Sequence, residues 1–152
     1  VTAPRADVAA VKAAVCRLRP AVELPDAALA DFDALKADVP RLARALIPNN
    51  MVTRAVALGP AVPAGDVDLS ALRVRTVRDG ALLGERAVGP RNAEMWESVR
   101  WIVNHFVLKR GYTVAPGQIV MAGNLTGLHA GDRGRWQVDY GALGRVEFEV
   151  VD

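Results

Sequence analysis

The stretch "NAEMWESVRWIVNHFVLKRG", residues 92–111, places Trp96, Val99, Ile102, Val103, Phe106 and Val107 three and four residues apart, the spacing that lines one face of an α-helix. Asn92 is a residue type that caps helix starts, Glu94 and Glu97 suit the positive end of the helix dipole, and Lys109, Arg110 and Gly111 suit the other end. This is the one long helix the sequence predicts, and what flanks it decides the fold. Downstream, "PGQIVMAGN", "GRWQVDYG" and "GRVEFEVVD" read as short strands punctuated by glycine. In the last of them Val146, Phe148 and Val150 share one face, and Glu147 and Glu149 the other. Upstream, two extended runs, 72–78 and 81–86, flank Asp79-Gly80. That pair suits a type I′ hairpin turn, whose two central positions both need positive φ.

Further upstream, Val8, Val11, Val15 and Leu18 predict a short amphipathic helix over 5–18, with Thr2 or Asp7 near its start and Pro20 beyond its end. Residues 21–24 read as a brief strand broken by Pro25. The stretch 26–48 reads as loop plus helical turns ending before Pro48, and 51–58 as a β-branched strand closed by Gly59-Pro60. Strands therefore outnumber helices and do not alternate with them, which argues against a doubly wound fold. A single α+β domain over residues 1–152 is expected, with a mixed, rolled or sandwiched sheet, one long helix and one or two short ones.

Composition narrows the function. The chain of 152 residues is long enough to bury a core, and its 51% hydrophobic content is weighted to Ala and Val, with 5% aromatics. Its 19 Lys and Arg are scattered among 17 acidic residues, for a net charge of +2. No basic run or aromatic-basic stripe points to nucleic acid. A single cysteine, Cys16, excludes an intramolecular disulfide and a zinc set, and fits a reducing, cytoplasmic setting. No apolar run reaches the roughly 18 residues of a membrane-spanning helix, and the N-terminal stretch lacks the apolar block of a signal peptide.

Few residues stand out chemically. There is no Gly-rich phosphate loop and no nucleophile elbow. His105 lies on the long helix, one step off its apolar stripe, which favours a structural or surface role over catalysis. His129 follows "GNLTGL" in a Gly-rich loop, where functional residues concentrate. Glu23, in "RPAVELPD" (residues 19–26), stands between Val22 and Leu24. Either it is the outward residue of a simple alternation, or it is buried and must be paired or bound to a cation, because an unpaired buried carboxylate is costly.

Four stretches in order, "RPAVELPD", "IPNNMVTRAVALGPAVP", "GPRNAEMWESVRWIVNHFVLKRGYTVAPGQIVMAGNLTGL" and "AGDRGRWQVDYGALGRVEFEV", resemble the C-terminal half of the 2-keto-4-pentenoate hydratases and 4-oxalocrotonate decarboxylases of the fumarylacetoacetate hydrolase superfamily. The resemblance implies that superfamily's C-terminal β-roll or sandwich. It also implies a lyase acting on a small 2-keto (2-hydroxy-dienoate) acid in aromatic catabolism with Mg2+ or Mn2+. "PAVE" matches the family's "PAxE", so Glu23 becomes a metal ligand by resemblance. "PNN" matches "ADN", which puts Asn50 beside the substrate, and "GNLTG" matches the "G-x-x-TG" loop, which puts Thr126 there with His129 following.

The sequence also departs from the family. The Glu-x-Glu strand carrying the other two metal carboxylates has no counterpart, because "EFE", Glu147 and Glu149, falls in a different, terminal strand with an outward-facing pattern. The segment whose Lys reaches the substrate is missing as well. The loop after Thr126 is shorter than the family's, with His129 where a proline-containing run is usual. The expectation is therefore a fragment or one half of a split enzyme, assembled as a homo-oligomer or with a partner chain supplying the N-terminal half. The alternative is a noncatalytic scaffold that binds other proteins.

Overall fold

The computed structural model describes residues 6–26, 38–46 and 53–151. Their contacts divide into two compact units, residues 21–58 and the remainder, each described by itself.

In the larger unit, helix α1 (Val8–Ala14) begins at Asp7, whose carboxylate accepts the Ala10 N–H at 2.7 Å. It stops well short of the predicted Leu18. Val15 is already extended, and Arg17–Leu18 forms strand β1 against β4 (Val62–Pro63). Three-residue 3₁₀ turns at Ala64–Asp66 and Leu69–Ala71 lead into β5 (Arg73–Arg78), which turns through Asp79 (φ 48°) and Gly80 (φ 83°) into β6 (Ala81–Ala87). That is the predicted hairpin, with both central residues at positive φ as its turn requires.

Helix α2 (Gly89–Ile102) carries the expected apolar spacing but starts earlier than Asn92. Val88 is the residue before its first turn, no side chain caps that end, and Pro90 occupies the first turn, where its fixed φ favours a helix and its missing N–H is no loss. Residues Val103–Lys109 continue with the wider π-helical repeat, and Tyr112 closes the end by donating its N–H to the Phe106 carbonyl at 3.1 Å. Helix α1 lies on α2 through Ala6, Val11 and Val103, with Trp96 and Val99 around them. Asn104 locks the contact, accepting the Ala6 N–H and donating to the Ala6 carbonyl, both at 2.8 Å. His105 stacks on Trp101 with centroids 4.5 Å apart, in keeping with the structural role its position implies.

Beyond this helix come β7 (Gly134–Asp139) and β8 (Arg145–Val150), completing one sheet in the order β6-β5-β7-β8. Every recorded strand pairing is antiparallel, so no parallel pair of a mixed sheet occurs among the described strands. The sheet sorts its faces by alternation. Val74, Thr76, Trp136, Val138 and Val146 are buried on the inner face. On the outer face Glu147 lies 3.4 Å from Arg145 and 3.6 Å from Arg135, and Glu85 lies 2.8 Å from Arg73 and 3.2 Å from Arg75. Glu147 and Glu149 are thus on the solvated side, as their pattern predicts. The predicted strand in "PGQIVMAGN" is absent: residues 116–124 form no strand, and Ile119, Val120 and Met121 are exposed. A strand exists only against a neighbour, and none of the described strands pairs with this segment.

The smaller unit holds an antiparallel pair, β2 (Ala21–Pro25) with β3 (Thr53–Leu58), and a short helix, Val39–Leu46. Pro25 sits at a register shift, where its missing N–H is tolerated. Among the described residues no helix is long and apolar enough to cross a membrane.

Candidate functional site: the Thr126 loop on the inner sheet face

The site is built from the sheet outward. Thr76 opposes Gly84 on β6 and Val138 on β7, so all three share the inner face. Thr76 is only 3% exposed, the one polar side chain among the buried residues described. Its hydroxyl meets that of Thr126 at 2.9 Å. A side chain at Gly84 would obstruct this approach. Its first carbon would lie 3.2 Å from the Thr126 carbonyl oxygen, 3.5 Å from the Thr126 Cβ and 3.6 Å from the His129 Cε1. A register shift between Thr76 and Val77 falls beside this position.

Both ends of the loop are tied down. Asn124 accepts the Gly127 N–H on its side chain at 2.9 Å, and its carbonyl accepts from the Arg91 guanidinium at 2.7 Å. At the far end Trp136, 5% exposed, donates its indole N–H to the Asp132 carbonyl at 3.0 Å, while Arg78 lies over the indole and pairs with the Asp132 carboxylate. The His129 ring stands 6.3 Å from the Trp136 ring, and its Nε2 is buried with no partner among the described residues. An orphaned nitrogen of that kind calls for a water or a ligand.

Thr126 and His129, singled out from sequence, are therefore brought together at one place. Glu23, the expected metal ligand, belongs to the other unit. It lies in the smaller unit, exposed, and accepts a hydrogen bond from the Thr53 hydroxyl, with Val22 and Leu24 more covered than it is. That is the simple alternation. Asn50 lies outside the described residues. No group of three or more His, Cys, Asp or Glu able to hold a metal occurs among the described residues. Glu23 and Thr53 together offer too few oxygens for a cation that takes about six, so the described residues alone do not make the divalent-metal site the resemblance implies. Thr76 and Gly84 were missed from sequence. Threonine is an ordinary strand residue, and only its burial and its partner mark it.

The fold is an α+β architecture with a counterpart among solved structures. The solved structure of 4-oxalocrotonate decarboxylase from Pseudomonas putida G7, complexed with calcium and acetate, matches with a TM-score of 0.69 and 22% sequence identity over 92% of this chain and 50% of that one. The expected α+β class, with its likeness to half of such an enzyme, is thus found, and the chain spans about half the length of that neighbour. Comparisons with family models and with curated proteins find no match.

Proposed function

We propose that this chain forms one half of a lyase site that hydrates or decarboxylates a small 2-keto (2-hydroxy-dienoate) acid in aromatic catabolism, the other half coming from polypeptide outside these 152 residues. The observation that carries this reading is the 0.69 TM-score match to half of a decarboxylase, with Thr126 and His129 converging over Gly84. In this reading the Thr126 hydroxyl and the backbone N–H groups of the Gly-rich loop hold the substrate carboxylate. The His129 imidazole, with one unpartnered nitrogen, holds or accepts a proton near the reacting carbon. Asn50 neighbours the substrate. Glu23 contributes one oxygen ligand to a Mg2+ or Mn2+ whose remaining carboxylates lie on the complementary half.

A second reading, a noncatalytic scaffold that binds other proteins, draws on one observation: Glu23 faces solvent and bonds to Thr53. The purified chain, given Mg2+ and a 2-hydroxy-dienoate alone and then with any co-purifying protein, separates the two. Turnover only with the partner, lost in Glu23→Gln, supports the split site. No turnover under either condition supports the scaffold.

A further inference from the structure

We propose that Thr76 is the positioning residue of this site: its buried hydroxyl donates to Thr126, holding the Thr126 loop on the sheet and leaving the Thr126 proton free to donate to an anionic ligand oxygen. This inference rests on the reading of the loop as a carboxylate-binding element and adds the group that orients it.

The 2.9 Å contact between the two hydroxyls allows either to be the donor, and burial decides the direction. Thr76 is 3% exposed on a strand paired on both sides, and Thr126 is its one hydroxyl partner among the described residues. An unsatisfied buried O–H donor is penalised more than an unused lone pair, so Thr76 must give its proton to Thr126. Thr126 is only part-buried, and with the Thr76 proton filling the shared bond its own proton is left for water or a ligand. A hydroxyl that already accepts a bond and has its proton outward is a donor set in advance. Its complement is an acceptor such as a carboxylate oxygen, and preorganisation of this kind strengthens binding because no group must be reoriented. Gly84 eases the arrangement, because a side-chain carbon there would lie 3.2 Å from the Thr126 carbonyl oxygen and press the loop outward. The orphaned Nε2 of His129, whose ring carbon reaches the same point above Gly84, is a second polar group awaiting a partner there.

The test compares Thr76→Val, which keeps the shape and removes the hydroxyl, with Thr76→Ser, which keeps the hydroxyl. The first measurement is hydrogen exchange of the Gly127 amide, bonded to the Asn124 side chain within the loop. Loss of the Thr76 bond is expected to raise its exchange roughly fivefold to tenfold in Thr76→Val, with Thr76→Ser close to wild type. The second is titration with acetate and with pyruvate, read at the His129 ring protons by NMR. His105 is the only other histidine, so the signals are readily told apart. Affinity should fall by a similar factor in Thr76→Val and return in Thr76→Ser. Unchanged loop exchange in Thr76→Val overturns the proposal whatever the ligands do, and so does carboxylate binding equal to wild type. If exchange rises but neither probe binds even the wild-type chain, Thr76 keeps its hold on the loop, and the carboxylate-binding reading fails instead.

Discussion

Trp136→Phe tests how the far end of the loop is held. The indole is 5% exposed, stacks parallel to Phe148 at 6.1 Å, carries Arg78 over its face at 5.7 Å and bonds the Asp132 carbonyl at 3.0 Å. Phenylalanine keeps an aromatic face for Phe148 and Arg78 but removes the N–H and the second ring. The lost hydrogen bond contributes about 1 kcal/mol, at the low end of its cost because Asp132 is exposed and its carbonyl can be hydrated. The vacated space adds about 1 kcal/mol more, in keeping with the smaller cavity penalties for core truncations. A total near 2 kcal/mol lowers the thermal midpoint of a chain this size by roughly 4–8 °C. Thermal unfolding followed by far-UV circular dichroism measures it, with exchange of the 127–132 amides reporting the loop. A midpoint within about 1 °C of wild type would show that the indole N–H bond anchors nothing, and the account of the loop's far end would be wrong. A drop several times larger would show that packing, rather than this bond, dominates.

Three further outcomes are expected. Gly59→Ala should lower stability by about 1–3 kcal/mol or prevent folding, because the added carbon would lie 2.4 Å from the Pro20 Cγ and 2.7 Å from the Arg145 carbonyl oxygen; chemical denaturation checks it. Gly84→Val should displace the loop with little loss of global stability, seen as a shift of the His129 ring-proton signals. Asp68, whose carboxylate accepts the Ser70 hydroxyl at 2.6 Å and the Ser70 N–H at 2.9 Å, has its pKa lowered chiefly by the side-chain bond. With the folded value below the unfolded one, the turn it caps is favoured above the ordinary aspartate range and loses that support as the pH falls through the depressed value. A carboxyl carbon titration by NMR should therefore place Asp68 below its usual midpoint, and Ser70→Ala should raise it.

Local signals carried what the sequence disclosed. Asp79-Gly80 specified a hairpin because few residue pairs accept positive φ at both positions, and 145–150 showed its faces because one side of that strand is wet. The long helix was legible in its period but not at its start, since Pro90 favours the first turn without any side-chain cap to announce it. The strand expected in "PGQIVMAGN" failed because periodicity reports a preference for extended backbone, whereas a strand also needs hydrogen-bonding neighbours. The candidate site divided along the same line. His129 stood out as a member of a Gly-rich loop and Thr126 through the family resemblance, but Thr76 and Gly84 acquire meaning only from what crosses the sheet to meet them. Glu23 carried two readings in the sequence, and its surroundings are those of the outward one.

Asp79 does more than turn a hairpin. Its N–H donates to the Arg135 carbonyl, and its carboxylate accepts the Arg135 N–H, both at 2.9 Å between residues fifty-six positions apart. The β5-β6 pair can zip up as soon as its own residues are synthesised, but the central β5-β7 seam must wait until the whole intervening helix and loop have emerged. Non-local pairing of that kind is slow. The nascent chain therefore passes through an interval in which β5 has one edge unsatisfied, and the Asp79 clasp marks the moment when that exposure ends.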